Sequence, residues 1–245
     1  MIRKALIIAA GKGGRLVANG LGPPKPLIPV AGVPLLSHAL LRLEAAGMEE
    51  ACVVLGYRGE EIEAHYRQAP LHRLRVRWLP GANPNSSNGM SVLHARAALL
   101  EPFLLLMGDH LIEVEVLRRM ARVALEPEGA VLAVDRKLDR VFDVEEATKV
   151  KLDAERIRAI GKQLSDYDAV DTGLFACSLG LWAALEASLR GGDCSLSDGI
   201  QELARGGRMR ALDIREAEWV DIDTPEALAY AEKQIASGKF SLPAL

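Results

Sequence analysis

Short apolar runs alternate with amphipathic stretches along the first half of the chain. Three of these runs consist wholly of apolar residues, and each is followed closely by glycine, which is typical of buried parallel strands. Between the first two runs, leucines recur at helical spacing up to Gly47, which predicts a helix over 34–46. The three predicted strands lie at 5–9, 51–55 and 103–107.

Weaker patterns predict the other elements. A short polar helix, a strand, a loop rich in Asn, Ser and Gly, and a further helix are expected at 59–67, 74–79, 81–89 and 91–100. The second half predicts strands at 129–134, 149–152, 156–160, 170–178, 209–213 and 218–222, and helices at 179–189, 197–205 and 225–236. Thr224 is the expected N-cap of the last helix, with Pro225 in its first turn. Together these elements predict an α/β fold, with a mostly parallel, doubly wound mixed sheet flanked by helices.

Composition narrows the class of protein. The chain has 245 residues, of which 49% are hydrophobic, and we see no linker or internal repeat, so one domain over 1–245 is expected. A net charge of −3 argues against a nucleic-acid-binding protein, since such proteins usually carry a basic face. No apolar run approaches the roughly 18 residues that a membrane-spanning helix needs, and the first residues do not resemble a signal peptide. We therefore expect a cytoplasmic protein without membrane insertion, ending in a loose tail.

The cysteine content and the amide content add two further expectations. Cys52, Cys177 and Cys194 are widely separated and lack Cys-x-x-Cys spacing, so neither a disulfide framework nor a zinc site is predicted. Asn and Gln are few while Arg and Leu are many, which fits a thermophilic source or a GC-rich genome. The cysteine pattern makes a reducing cytoplasm the default expectation.

A glycine-rich loop follows the first predicted strand, and a Pro-Lys-Pro-Leu segment lies at 24–27. Glycines let backbone N–H groups approach phosphate oxygens, and nearby lysine and arginine side chains supply local positive charge on an acidic chain. This combination is typical of a triphosphate site, whereas the loop alone is also compatible with an ordinary glycine turn. Neither a Walker A loop nor a dinucleotide fingerprint fits, because glycine follows Lys12 and Leu16 replaces a required glycine. The residues that we assign to nucleotide binding here are Ala9, Ala10, Gly11, Lys12, Gly13, Gly14, Arg15 and Lys25.

Acidic residues follow two of the predicted strands. Asp109 comes just after the run at 103–107, and Asp221 and Asp223 share one face of a later strand. A carboxylate at the end of a buried strand is unfavourable without a partner, so a divalent cation or a helix N-cap is expected to satisfy it. Magnesium typically binds one or two carboxylates together with phosphate oxygens and water. The pattern predicts a Mg²⁺ site drawn from Asp109, Asp221 and Asp223, with His110 packed beside the site rather than bound to the metal.

Two further groups of polar residues are candidates for substrate contacts. The loop after the strand at 74–79 carries the amide and hydroxyl groups that recognise nucleobase edges, although a plain connecting loop is equally compatible with it. In the second half, lysines could hold an acceptor phosphate, and a carboxylate beside a hydroxyl could bind a polyol; solvated strand lysines are the alternative. The candidates are Gly81, Asn88, Gly89 and Ser91 for the nucleotide, and Lys149, Lys162, Asp171 and Thr172 for the acceptor.

In combination, these motifs resemble the nucleotidyltransferases of the GT-A-like fold. The family carries a Leu-Ala-Ala-Gly-x-Gly-x-Arg-Leu loop, a Pro-Lys-Pro-Leu segment, a metal aspartate after the central strand, and an acidic pair near the C-terminus. The matching positions in this chain are residues 8–16, 24–27, Asp109, and Asp221 with Asp223. The resemblance implies a GT-A or Rossmann-like nucleotidyltransferase fold over nearly the whole chain.

Within the family, three stretches are similar to the CTP:inositol-1-phosphate cytidylyltransferases. They lie at 88–91, at 107–110, and at 147–150 continuing to 160–162 and 167–173. This similarity implies Mg²⁺-dependent transfer of CMP from CTP to myo-inositol 1-phosphate, giving CDP-inositol and pyrophosphate. It also implies that residues 1–130 bind the nucleotide and that residues 131–220 bind the acceptor and complete the metal site. Such enzymes are often fused to a membrane-bound phosphotransferase. Since this chain shows no transmembrane segment up to Leu245, the stand-alone form is expected, and a separate membrane-bound phosphotransferase is an expected partner.

The implied mechanism is an in-line attack by an acceptor phosphate oxygen on the α-phosphorus of CTP. No general base is needed, because the acceptor phosphate is already largely a dianion at neutral pH. Lys25 is expected to stabilise the α-phosphate, and Arg15 with Lys12 to hold the β- and γ-phosphates. Two alternatives stay open: a sugar-1-phosphate or choline-phosphate nucleotidyltransferase, and a non-catalytic nucleotide-binding regulatory protein.

Overall fold

A computed structural model of the chain describes residues 1–16, 22–68 and 74–240, so the expected tail lies outside the described residues. The strands are β1 Lys4–Ala9, β2 Pro29–Val30, β3 Val33–Pro34, β4 Glu50–Leu55, β5 Arg75–Leu79, β6 Phe103–Met107, β7 His110–Ile112, β8 Ala130–Asp135, β9 Lys149–Asp153, β10 Arg156–Gly161, β11 Ala169–Cys177, β12 Met209–Asp213 and β13 Trp219–Asp221. The helices are α1 Leu35–Ala45, α2 Gly59–Gln68, α3 Asn88–His94, α4 Val114–Ala121, α5 Gly180–Ala187, α6 Leu196–Arg205 and α7 Pro225–Ala236.

Nine of the strands form one mixed sheet in the order β5-β4-β1-β6-β11-β8-β12-β10-β9. β1 lies between β4 and β6 and runs parallel to both, and β5 extends this parallel part beyond β4. β11 runs antiparallel between β6 and β8 and therefore joins the parallel half to the rest of the sheet. The α/β fold with a mixed, helix-flanked sheet is confirmed. The sheet is less parallel than expected, because β9, β10 and β11 pair antiparallel with their neighbours.

Apolar side chains pack on both faces of this sheet. Along β1, Leu6 belongs to one buried cluster, whereas Ile7 belongs to the cluster on the opposite face. Helices α1 and α4 contribute to the second cluster, and α3, α5 and α6 contribute to the first. A strand covered on both faces must be apolar at consecutive positions, which explains why its sequence shows no alternation.

The carboxyl ends of β1 and β6 bring the candidate residues together. These two strands are parallel neighbours with Ile8 opposite Met107, and the Gly108 N–H donates to the Ile8 carbonyl at 2.9 Å. The glycine loop and Asp109 therefore leave the same edge of the sheet, where α/β proteins bind ligands. β13 pairs antiparallel with β7, with Asp221 opposite His110, and this pairing brings the C-terminal acids to the same edge.

Two helical segments differ from their predictions. The helix expected over 91–100 is α3 followed by a 3-10 turn at Arg96–Ala98, and it begins earlier, at Asn88. Its first turn packs closely on the segment before α6, since a Cβ at Gly89 would lie only 2.5 Å from the Cys194 carbonyl oxygen. α4 was not predicted, because its eight residues include three charged ones among the four apolar residues that it buries, and so short a segment gives a weak helical pattern. No helix within the described ranges has the length and apolarity to cross a bilayer.

Candidate active site

Lys25 lies at the centre of the edge formed by β1 and β6. It begins the 3-10 turn Lys25–Leu27, and only 7% of the residue is exposed. Its Nζ donates to Oδ2 of Asp109 at 2.7 Å and also to Oδ1 of Asp223. The lysine ammonium thus lies between a carboxylate at the end of β6 and one that follows β13. These contacts agree with the sequence, from which Asp109 and a C-terminal acid were expected to converge opposite the glycine loop.

Arg15, at the end of the glycine loop, extends this ion-pair network towards residues from the second half of the chain. Its Nη2 donates to Oδ2 of Asp223, and its Nη1 lies 3.7 Å from Oε2 of Glu146. The same Glu146 oxygen lies 3.6 Å from Nζ of Lys162. Acids and bases therefore alternate across the site. The chain of ion pairs runs in the order Asp109, Lys25, Asp223, Arg15, Glu146 and Lys162.

A second cluster surrounds His110. Its Nδ1 contacts Oδ1 of Asp109 at 2.8 Å and lies 3.7 Å from Oδ1 of Asp221. Its ring stacks on Trp219 with the centroids 5.9 Å apart. Asp109, His110 and Asp221 offer ligand atoms that all lie within 4.8 Å of one another. The Oδ1 atom of Asp221 is buried without a hydrogen-bond partner among the described residues.

The electrostatics of these groups follow from burial and from their neighbours. Burial opposes the charged form of Asp109, but Lys25 and His110 together outweigh it and hold the pKa of Asp109 well below its usual range. Burial also lowers the pKa of His110, yet Asp221 and Asp109 raise it to about 9. For Lys25, Asp109 and Asp223 outweigh burial, and its pKa is raised. Burial dominates at Asp221 and Asp171, and it raises the pKa of each to about 6.

Two adjoining cavities open at this edge of the sheet. The first, of about 380 Å³, lies over the glycine loop and is lined by residues that include Gly11, Gly13 and Lys25. The second, of about 250 Å³, extends towards Trp219 and α6. Three charged residues line both cavities, so they mark the junction between them: Arg15, Asp109 and Asp223.

Most of the residues chosen from the sequence lie at these cavities. The glycine-loop cavity includes Ala9, Gly11, Gly13, Gly14, Arg15 and Lys25, and the second cavity includes Asn88, Lys162, Asp171 and Asp221. Asn88 has a structural contact as well, because its Oδ1 accepts from the Leu196 N–H at 2.8 Å, next to the start of α6. Lys12 lines neither cavity among the described residues, and its Nζ donates to Oδ1 of Asn85 at 2.6 Å.

Two acceptor-binding assignments need correction. Thr172 is fully buried, and its hydroxyl donates to the Ala133 carbonyl at 2.8 Å, so it stabilises the contact between β11 and β8. Lys149 is 6% exposed, and its Nζ donates to the Glu145 carbonyl, so the ammonium is directed at the backbone rather than into a cavity. Of the lysine pair proposed from the sequence, Lys162 is the one at the cavity.

Four nucleotide-binding assignments also lie away from the lining. Ala10 is 3% exposed, and its carbonyl accepts from Tyr57 N–H at 3.0 Å. Ser91 is 5% exposed within α3, and Gly89 is the point where α3 packs against Cys194, so both have structural roles. Gly81 does not line either cavity in the described part of the chain.

Sequence reasoning missed several residues that line the second cavity. Trp219 could have been found, because it alternates with Asp221 and Asp223 and must share their face of the strand. Phe142 and Glu146 gave no such signal, since they lie in an irregular connection between β8 and β9. Only the tertiary structure brings that connection over the site.

Comparison with known proteins identifies the family. The family model for the MobA-like NTP transferase domain matches residues 5–193. A bifunctional IPC transferase and DIPP synthase from Rubrobacter xylanophilus is 38% identical over 233 residues, which are 94% of this chain and 51% of that protein. The protein of the same name from Aquifex aeolicus is 31% identical over 236 residues, 96% of this chain and 52% of that one. This chain therefore spans about half the length of these curated relatives.

Solved structures show the same relationship. The inositol-1-phosphate CTP transferase from T. maritima superimposes with a TM-score of 0.83 and 25% identity, covering 97% of each chain. A UDP-glucose pyrophosphorylase complexed with UDP-glucose gives a TM-score of 0.78 at 18% identity, covering 97% of this chain and 100% of that one, a likeness of fold alone. With the family match extending over more than half of its length, the chain belongs to the MobA-like NTP transferase domain family and is a nucleotidyltransferase.

Proposed function

We propose that this nucleotidyltransferase is a Mg²⁺-dependent cytidylyltransferase that transfers CMP from CTP to myo-inositol 1-phosphate, producing CDP-inositol and pyrophosphate. The names of the relatives support this choice of substrates. They include the IPC transferases, the inositol-1-phosphate CTP transferase, and a CMP-5'-(3-aminopropyl)phosphonate synthase from Streptomyces rubellomurinus that is 30% identical over 266 residues. CTP stands in the name of the solved transferase, and CMP stands in the name of the phosphonate synthase.

The observation that carries the proposal is the junction of the two cavities. Arg15, Asp109 and Asp223 line both cavities, and Lys25 bridges the two acids. A reaction that joins a nucleotide to an acceptor needs the α-phosphorus where the two binding sites meet. We assign the glycine-loop cavity to the triphosphate and the second cavity to the acceptor. The junction then supplies the charges that a phosphoryl-transfer transition state requires.

The acids at the junction fit a divalent cation. Asp109 and Asp223 approach one ammonium group, so two carboxylates from different strand ends already enclose a positive charge. Beside them, Asp221 has a buried Oδ1 without a partner among the described residues, which is the kind of atom that a cation would satisfy. When bound, Mg²⁺ would neutralise phosphate charge at the junction. We propose Asp109 and Asp223 as its principal ligands, with Asp221 beside them and His110 orienting Asp109.

The chain's own residues account for the remaining chemistry. Phosphate oxygens of CTP would replace the carboxylates of Asp109 and Asp223 at Lys25 and at Nη2 of Arg15, and both cations would then neutralise charge on the triphosphate. Nη1 of Arg15 would stay beside Glu146. An oxygen of the acceptor phosphate attacks the α-phosphorus, the bond to the β-phosphate oxygen breaks, and pyrophosphate leaves. Because the attacking phosphate is already ionised, no residue needs to remove a proton. Catalysis therefore depends on alignment and charge neutralisation.

A matrix of nucleotides against phosphorylated acceptors, measured by pyrophosphate release with Mg²⁺, tests the proposal. We expect CTP with myo-inositol 1-phosphate to give the highest kcat/KM. A higher value for a sugar 1-phosphate or choline phosphate would replace the proposed substrates with the alternative transferase. Nucleotide binding without pyrophosphate release from any pair would favour a regulatory protein instead.

The proposed organisation extends to domains and partners. We propose one catalytic domain, in which residues up to about 130 bind the nucleotide and those from about 131 to 220 bind the acceptor and complete the metal site. A membrane-bound phosphotransferase is the proposed consumer of the product in the cytoplasm, because the named relatives combine IPC transferase with DIPP synthase. Incubating this protein with CTP, myo-inositol 1-phosphate, Mg²⁺ and membranes that contain such an enzyme should give an inositol phosphodiester, as an alcohol acceptor attacks CDP-inositol and CMP leaves.

A further inference from the structure

Glu146 lies between the two cations of the second cavity, although no motif pointed to it. Its Oε2 lies 3.7 Å from Nη1 of Arg15 and 3.6 Å from Nζ of Lys162, and all three residues line the cavity. Arg15 belongs to the glycine loop, whereas Lys162 directly follows β10. A single carboxylate therefore joins the two sides of the cavity through two positive charges.

The segment that carries Glu146 forms one wall of the cavity. We call residues 136–148, which connect β8 to β9, the strap. Near its middle, Phe142 stacks on Tyr230 of α7 with the centroids 4.8 Å apart, and Arg140 contacts Glu216 at 3.1 Å. The side chains of Arg15, Glu146 and Lys162 are 53%, 60% and 55% exposed, so their ion pairs are individually weak. An anion that enters the cavity can compete with Glu146 for both cations.

We propose that Glu146 occupies the position of the acceptor phosphate in the unliganded protein and that the acceptor must displace it from Lys162 and Arg15. This inference rests on the proposed function of the second cavity. The exchange favours a phosphorylated acceptor, because a phosphate near neutral pH brings close to two negative charges where the carboxylate brings one. Glu146 therefore sets the acceptor affinity: it keeps the two cations paired without substrate and raises the acceptor concentration needed for turnover.

The kinetic effect follows from the strength of exposed ion pairs. If Glu146 no longer competes for the two cations, the apparent dissociation constant of the acceptor should fall about two- to tenfold. Glu146→Gln should therefore lower the KM for the phosphorylated acceptor by about that factor and change kcat little. Lys162→Gln should raise the same KM about tenfold or more, since it removes a cation that the phosphate needs.

A matched control lies next to Glu146 in the strap. Glu145 is also exposed, and within the described ranges its carboxylate has no ion pair and lines neither cavity. Glu145→Gln removes the same charge from the same segment and should leave the acceptor KM unchanged. An equal fall in KM for both variants would assign the effect to net charge and would overturn the proposal.

The deciding experiment is a double-mutant cycle on the full-length protein with saturating CTP and Mg²⁺. If Glu146 acts by occupying Lys162, its substitution should improve the acceptor KM much less when Lys162→Gln is already present. A purely structural effect of position 146 would be the same in both backgrounds. An unchanged or higher acceptor KM in the single Glu146→Gln variant would also overturn the proposal.

This test is separable from the test of the proposed substrates. If another nucleotide and phosphorylated acceptor turn over instead of CTP and myo-inositol 1-phosphate, the same four proteins are compared with that pair. Isothermal titration calorimetry with myo-inositol 1-phosphate measures acceptor binding without turnover. Glu146→Gln should tighten the dissociation constant two- to tenfold, and equal affinity of the wild type and the variant would reject the role of Glu146 whether or not catalysis occurs.

Discussion

Gly13 packs directly against the side chain of Lys25, and a Cβ at position 13 would lie 2.6 Å from Cβ and 2.9 Å from Cδ of the lysine. Gly13 also has a φ of 65°, a conformation that strains residues with a side chain. The glycine therefore determines the path by which Lys25 reaches Asp109 and Asp223. The sequence had justified a loop glycine by backbone access to phosphate, and the structure adds this steric reason.

Gly13→Ala is accordingly expected to lower kcat/KM for pyrophosphate formation at least tenfold, because both the loop and the lysine must shift. Gly14→Ala is the matched comparison, since a Cβ at Gly14 meets nothing within 4 Å among the described atoms. It should lose clearly less activity. Steady-state kinetics, with a thermal melt to verify folding, would measure both variants. Equal losses would mean that contact with Lys25 is irrelevant.

Lys25→Ala should reduce kcat by about 10²- to 10³-fold, the usual effect of removing one preorganised donor to a developing negative charge. The substitution removes the ammonium that bridges Asp109 and Asp223. Lys4→Ala provides a control, because Lys4 pairs with Glu101 near the amino end of β1, away from both cavities. Single-turnover measurements with saturating CTP and acceptor would detect the loss. Near-normal turnover of Lys25→Ala would remove the lysine from the mechanism.

The two C-terminal acids should differ in their effect on metal dependence. Asp223 lines both cavities, whereas Asp221 lines only the second. We therefore expect Asp223→Asn to lose about 10²-fold or more in kcat and to need more Mg²⁺, and Asp221→Asn to lose roughly tenfold. Titrating Mg²⁺ at fixed CTP would give the activation constant of each variant. A larger loss for Asp221→Asn would transfer the principal metal contact from Asp223 to Asp221.

The sequence predicted the parts of the site that depend on local chain geometry. A buried parallel strand followed by glycine, and an aspartate just past a neighbouring strand, imply a shared edge whatever the rest of the fold. The sequence could not distinguish Lys149 from Lys162, because both have strand-like surroundings. In the folded protein Lys149 donates to the Glu145 carbonyl, whereas Lys162 lines the second cavity. The sequence likewise predicted that Thr172 binds the acceptor, although its hydroxyl donates to the Ala133 carbonyl of the neighbouring strand.

Stability against acid is expected to depend on His38, which lies fully buried in α1. Its Nε2 contacts the Val30 carbonyl at 2.9 Å, and its Nδ1 lies 3.0 Å from Nη1 of Arg42, which can only donate. These contacts require the neutral ring with its proton on Nε2. Burial, together with the charge of Arg42, lowers the pKa of His38 from 6.5 to about 4, and the Val30 and Val33 carbonyls oppose the shift.

Because the folded pKa lies below the unfolded one, the unfolded chain binds the proton first as the pH falls. The contribution of His38 is complete above pH 6.5 and is lost progressively as the pH falls to about 4, a total loss of roughly 3 kcal/mol. Burial lowers the pKa of Arg42 to about 10 and Glu113 partly offsets this shift, so Arg42 stays protonated throughout this window. Urea unfolding at several pH values should show this slope, and His38→Gln, which can keep the donation to Val30, should flatten it. A slope that persists unchanged in His38→Gln would assign the acid sensitivity to other groups.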